Sequence, residues 1–461
     1  MSLDLVRDPI PKLLRATSIP AITGMFFGTL YNIVDTIYVG HYSTNALAAF
    51  SMVFPVYFIF LLATAVGFSN GLKTVIAEAI GRNSTTEVRC LIAQGIPLGV
   101  ITGLMINLLA YSCIDYLLLF LENKQDPNNS DNLMLAKEYL EVLFLGGISL
   151  NIVYALTAPL GAIGDTKTLR DGEIFGAFAN IILNPILMFG WFGLPEMGIA
   201  GLALATVIIW TAHALYCFIR LRNSALWSTF NLADIRPIPA LWGRILLQAV
   251  PSIINMVRIG IIFSIFAYVM NTYGTNVLAG YGVGFRIEGL FILPVVGLNV
   301  AVVAIVAQNY GAADHARVRE AYLMTLKVGL AIMFIGGAIL IVFAPWLVIP
   351  FTDDAETRQY AIEYLRIDAV ALPSIAIINL SGAMMQGMQR TMLGVAALML
   401  TQALLPAILL PYVAQHYGYS NVWWTMVGIL WFSALCMLVI VHLVLKSWKK
   451  TLPLGGSMKT G

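Results

Sequence analysis

Residues 31–40 read YNIVDTIYVG, and their one acid, Asp35, sits near the far end of a long apolar run that includes AITGMFFGTL. A carboxylate at the centre of a hydrocarbon layer costs roughly 2.5–3.5 kcal/mol on insertion scales, so an acid there needs partners or a task. A later apolar run, ANIILNPILMFG, places Asn180 and Asn184 four residues apart, on one helix face. Thr206 lies in the next run. An enclosed carboxylate among neutral amides and a hydroxyl has its charged form disfavoured, which suits it to taking up and releasing a proton. The same oxygens could ligate Na⁺. Two prolines share the runs that carry these residues. Pro185 has no N–H, which frees the carbonyl of Ile181, and Pro20 frees that of Ala16 and offers a bend point.

The elements that hold these residues follow from composition. The chain has 461 residues, 59% hydrophobic and 11% charged, and its mean hydropathy is +0.84. Soluble domains carry about 25% charged residues, so the composition indicates an all-α polytopic membrane protein. Runs long enough to cross ~30 Å of hydrocarbon predict twelve spans, near 14–39, 47–73, 90–121, 138–164, 172–193, 198–219, 243–271, 278–308, 321–350, 360–388, 392–414 and 422–445. Of the 26 Lys and Arg, twenty fall in the N-terminus, the even-numbered loops and the tail, and four in the odd-numbered loops and their edges. The positive-inside rule then predicts that both termini are cytoplasmic, with a multi-pass inner-membrane location. Counted from the outer ends, Asp35 lies ~8 Å deep, Asn180 and Asn184 ~10–17 Å and Thr206 ~12 Å, one polar layer. The sequence holds no GxxxxGK[ST], so ATP-driven transport by this chain alone is excluded. Cys90, Cys113, Cys217 and Cys436 are single and read as small apolar residues.

The chain is also written twice. TNALAAF at 44–50 matches TNVLAGY at 275–281, IGRNSTTEVR at 80–89 resembles YGAADHARVR at 310–319, and AKEYL at 136–140 matches AIEYL at 361–365. Two units of six spans share one orientation, which predicts two six-helix lobes related by a pseudo-two-fold axis along the membrane normal. We expect an N-lobe over 1–222, a cytoplasmic linker over 223–238 and a C-lobe over 239–461. The repeat also supplies a control: Asp35 falls on Phe266, Asn180 on Leu405, Asn184 on Leu409 and Thr206 on Met426. Polarity required by the fold alone would appear in both halves. It appears in one, which points to Asp35 as an ion-coupling carboxylate in a transporter.

Other residues carry weaker signals. Arg258, Arg286 and Glu288 lie inside spans and predict an intramembrane ion pair in the C-lobe, with substrate contact as the second reading. Asp368, beside Arg366, fits either a water-lined cavity or a shallow interfacial position. Met384, Met388 and Met392 repeat every four residues, a packing stripe whose thioethers would also suit a promiscuous pocket. His213 and His442 read as packed or interfacial, and Asp165 and Lys167 as residues that orient helices.

These stretches, NIVDTIYVG, PLGAIGDTK, NIILNPI and FRIEGLFILPVVGL, together with the duplication, resemble the multidrug and toxic compound extrusion (MATE) family in its DinF-like branch, over essentially the whole chain. The resemblance implies export of amphipathic or cationic organic compounds through a cleft between lobes, by alternating access in exchange for H⁺ or Na⁺, with Asp35 as the coupling acid. No enzyme activity, cofactor, resident metal or nucleic-acid partner is expected; the partners are drugs and the bilayer, and the chain is expected to be a monomer. One departure matters: the family pattern carries a second acid where this sequence has Asn184. A lone acid among amides favours H⁺ over Na⁺. The alternative is a lipid or lipid-linked-oligosaccharide flippase of the same superfamily, whose cleft should carry more cationic side chains than Arg258 and Arg286.

Overall fold

A computed structural model describes residues 3–121, 129–227, 234 and 236–451. Among them the chain forms seventeen α-helices: α1 (Ile10–Tyr42), α2 (Thr44–Tyr57), α3 (Ala63–Gly81), α4 (Thr85–Ser112), α5 (Ile114–Leu121), α6 (Asn129–Gly146), α7 (Ile148–Ala162), α8 (Lys167–Met188), α9 (Gly198–Arg222), α10 (Pro239–Asn271), α11 (Thr275–Gly311), α12 (His315–Val348), α13 (Ala355–Asp368), α14 (Leu372–Gly387), α15 (Thr391–Met399), α16 (Leu405–His416) and α17 (Tyr419–Thr451). A π-helical turn, Phe58–Leu62, joins α2 to α3, and another, Leu400–Leu404, joins α15 to α16. Where no water can satisfy the backbone, long uninterrupted helices are the expected solution. Their starts are fixed by short polar side chains: Ser43 accepts from the Ala46 N–H at 2.9 Å, Asp314 from Arg317 at 2.9 Å and Asp354 from Thr357 at 2.7 Å. α8 ends at a left-handed Gly190, φ 71°.

Among the described residues, nine helices or fused helix runs are long and apolar enough to cross a membrane, and up to eleven if two bent pairs each count as one span. The bent pairs are α6 with α7, at 43°, and α13 with α14, at 57°. Gly146 and Gly147 stand at the first break, and Pro373 follows the second. α8 is not among the eleven; Lys167, Arg170, Asp171 and Glu173 fill its first two turns. The protein is therefore an all-α, multi-pass inner-membrane protein.

The described chain divides into two compact units, one comprising Ile19–Ile76 and Thr85–Gly260, the other Met1–Ser18, Ala77–Ser84 and Ile261–Gly461. The division falls inside α1, α3 and α10. The first unit has a core of Val39, Ala46, Val53, Leu61, Leu140, Leu143, Met188 and Leu202. It also holds the described part of the expected linker, whose residues 228–233 and 235 lie outside the described set. Buried Gln94 of α4 pins this segment. Its amide donates to the carbonyls of Asp234 and Arg236, and its oxygen accepts from Ile238 N–H at 3.0 Å and Trp242 Nε1 at 2.8 Å. The second unit has its own core, which includes Met270, Val302, Met333, Leu380 and Trp423.

Candidate functional site

Asp35 on α1 is 3% exposed, and Asn180 and Asn184 on α8 are fully buried. Both amides reach the same carboxylate oxygen: Asn180 Nδ2 donates to Asp35 Oδ1 at 2.7 Å and Asn184 Nδ2 at 2.8 Å. The two side chains also bond each other, Asn184 Nδ2 to Asn180 Oδ1 at 3.1 Å and the reverse at 3.4 Å. Asp35 Oδ2 receives no hydrogen bond from the described residues. Asp165 accepts from the Lys167 and Thr168 N–H groups at 3.0 and 3.1 Å and from the Thr168 hydroxyl at 2.7 Å, so it caps the helix that carries both asparagines.

Thr206 on α9 lies in the same layer but does not bond Asp35. Its Oγ1 donates to the Leu202 carbonyl at 3.2 Å and accepts the Tyr31 hydroxyl at 2.9 Å. Sequence reasoning missed Tyr31, although it stands four residues before Asp35, one turn along α1. The Tyr31 ring packs at Gly176 of α8. Asp35 to Asn180 and Tyr31 to Gly176 share one sequence offset, so α1 and α8 run parallel and in register here. The Ile181 carbonyl freed by Pro185 is already used: it accepts the Tyr38 hydroxyl at 3.0 Å. Pro20 lies inside the continuous α1.

The remaining candidates are dispersed. Glu288 is buried and accepts the Tyr364 hydroxyl at 2.6 Å, both in the second unit. Arg258 is buried in the first unit and donates to Asn255 Oδ1 at 3.2 Å. Arg286 is exposed and makes no hydrogen bond or ion pair with the described residues. Asp368 ends α13 at the 57° break and is buried, its Oδ2 without a hydrogen-bond partner among the described residues. Met384 and Met388 are enclosed in the second core, at 0% and 1% exposure, and Met392 is exposed. His213 is buried against Gly172, and His442 is exposed.

A family model described as MatE matches residues 20–186 and 251–413, well over half of the chain. The chain belongs to the MatE family. As a MatE protein it is a MATE-type transporter and not an enzyme. It is 26% identical over 363 residues to the probable multidrug resistance protein NorM of Thermotoga maritima, covering 76% of this chain and 75% of that one. It is 25% identical over 415 residues to the FAD transporter of Shewanella oneidensis, covering 89% of each. Its fold matches that of a MOP superfamily transporter from Pyrococcus furiosus with a TM-score of 0.88, at 24% identity over 97% of this chain and 98% of that one.

Proposed function

We propose that this MatE protein, of the DinF-like branch, exports amphipathic or cationic organic compounds in exchange for protons by alternating access, with Asp35 as the coupling carboxylate. In this reading α8 completes a set of twelve spans in two lobes, 1–222 and 239–461. The inner part of α10 belongs to the first compact unit, where Ala249 packs against Gly71 and Ile253 against Gly67. Both termini are cytoplasmic, and the transporter works as a monomer.

One observation carries the choice of ion. Both asparagines turn N–H groups, not oxygens, toward Asp35. Donors stabilise a carboxylate and leave its second oxygen for a proton, whereas Na⁺ would need the amide oxygens that these residues spend on each other. Enclosure disfavours the charge and the two amide donors favour it, so a modest change in either shifts the balance. Protonation weakens two charge-assisted bonds to α8 at once. Pro20 lets α1 bend in response. The Shewanella relative is described as an FAD transporter, so FAD belongs among the solutes to be tried.

The test is solute export from proteoliposomes under an imposed pH gradient or a Na⁺ gradient, applied separately, for wild type and Asp35→Asn. An organic-cation dye, FAD and a lipid-linked sugar serve as solutes. We expect dye export with the pH gradient alone, and none from Asp35→Asn. Export by Asp35→Asn at the wild-type rate sinks the reading, and lipid-linked sugar movement without a gradient selects a flippase.

A further inference from the structure

The register of α1 and α8 extends beyond the site. Asp35 meets Asn180, and one turn earlier the Tyr31 ring meets Gly176. One turn earlier again, Gly28 meets Glu173: a methyl group on Gly28 would stand 3.3 Å from Glu173 Oε2. All three rungs keep the same spacing between partners. Seven residues separate Glu173 from Asn180 and Gly28 from Asp35. Seven residues are nearly two full turns, so Glu173 shares a helix face with Asn180, about 10 Å along the axis. It lies six residues into α8, about 9 Å from the start that Asp165 caps.

Glu173 is half-buried and has neither a hydrogen bond nor an ion pair among the described residues. An acid inside a membrane helix without a partner is expensive, and such residues mark ion pathways more often than they serve packing. Gly28 leaves α1 bare at this rung, so the carboxylate lies against backbone. The titratable groups around it are Tyr57 of α2, Tyr154 of α7 and Cys217 of α9, with His213 of α9 packed one residue away at Gly172. Tyr57 lies within electrostatic range of both Glu173 and Asp35. The rung between the two acids holds the Tyr31 ring, whose hydroxyl is bonded to Thr206.

We infer that Glu173 is a second proton-carrying group, the inner station of a two-carboxylate path in the N-terminal half. The inference rests on the coupling role proposed for Asp35. The proton that leaves the Asp35 carboxyl passes through water between the rungs to the Glu173 carboxylate. Asp35 becomes anionic as Glu173 becomes neutral, and Glu173 then gives the proton to cytoplasmic water. Only O–H bonds form and break. Glu173 thus places a second acid two turns inward of Asn180 on the same helix face.

Full-length wild type, Glu173→Gln, Glu173→Asp and Asp35→Asn are compared in two measurements: ethidium binding by fluorescence anisotropy, and ethidium export under a proton gradient with an enclosed pH dye. Losing a positioned proton acceptor costs about 100-fold or more in rate. Glu173→Gln should therefore bind ethidium as wild type does but export it, and move protons, at least about tenfold more slowly. Glu173→Asp should recover most of the rate, which a purely structural role would not require. Wild-type export by Glu173→Gln alongside an inactive Asp35→Asn overturns this inference and leaves the coupling reading standing. Wild-type export by both variants overturns both. Loss of ethidium binding in both Glu173 variants assigns the residue to the solute site and overturns the relay.

Discussion

Replacing Asn184 with alanine removes one of the two donors on Asp35 Oδ1 and leaves the other, Asn180 Nδ2, in place at 2.7 Å. A hydrogen bond to a charged group contributes about 1.5–3 kcal/mol net and one between neutral groups about 0.5–1.5 kcal/mol. The charged form of Asp35 therefore loses about 1–1.5 kcal/mol more than the protonated form does. One pH unit corresponds to about 1.4 kcal/mol, so half-maximal export should move about one unit. The sign is fixed by which state the donor favours: an anion with fewer donors holds its proton more tightly, and the midpoint moves toward alkaline pH. The substitution also strips Asn180 Oδ1 of its 3.1 Å donor. A buried orphan acceptor costs about 1–3 kcal/mol of stability, which thermal unfolding in detergent reads separately. The assay is dye export from proteoliposomes at constant gradient across a series of absolute pH values. An unmoved midpoint, or an acid shift, would show that the amides do not hold the carboxylate as drawn.

Three further outcomes follow from contacts outside the Asp35 site. Asp165→Ala removes the cap of α8 and should lower stability by about 0.5–2 kcal/mol, with a matching fall in the unfolding temperature; no fall would mean that the cap is not formed. Gln94→Leu removes the four hydrogen bonds from Gln94 to residues 234–242 and leaves the Arg89–Asp234 ion pair, at 2.7 Å, between this segment and α4. Limited proteolysis should then cut this segment faster than in wild type while export persists. Asp8 lies ahead of α1, and the hydrogen bond from Lys12, at 2.8 Å, with that from the Asp4 N–H, holds its carboxyl below the usual carboxylate range. Its folded form is thus favoured above the unfolded carboxylate value, and that contribution disappears as pH falls through the depressed one. Hydrogen exchange of residues 4–12 should quicken across that acid window in wild type, and less so in Asp8→Asn.

The contact of Asp35 with Asn180 and Asn184 was legible because its signals are local. Asn180 and Asn184 share a face by their spacing of four, Asp35 stands out in an apolar run, and the duplicated half is apolar at all the aligned places. What depends on the rotation of one helix against another was not legible. Depth along the membrane put Thr206 in the right layer, but only packing turns it toward Tyr31. Pro185 announces a free Ile181 carbonyl, and nothing local says that Tyr38, far back in the chain, will take it. The methionine stripe marks a helix face without saying that the face turns into the core. Glu173 was not singled out in the sequence. Its signal was the seven-residue step to Asn180, matched by the step from Gly28 to Asp35, and that match has meaning only once α1 and α8 are known to be parallel.

That register constrains how one proton can act over a distance. Gly28, Tyr31 and Asp35 all lie beyond Pro20, and the boundary between the two compact units crosses α1 beside it, between Ser18 and Ile19. A bend at Pro20 would swing the segment with all three rungs as one piece. When Asp35 takes a proton, the hydrogen bonds of the outer rung weaken, yet α1 cannot leave Asn180 without also lifting Tyr31 from Gly176 and Gly28 from Glu173. On the proposed relay, loss of the outer contact would open the path to the inner acid in the same movement. A bulkier residue at Gly28 should wedge the inner rung open, and a segment that moves as one piece then loosens the outer contact with it. In Gly28→Val, ethidium binding should persist while the proton leaks through uncoupled from export, read as acidification of the vesicle interior without dye movement. Tight coupling in that variant would show that α1 does not move as a single piece.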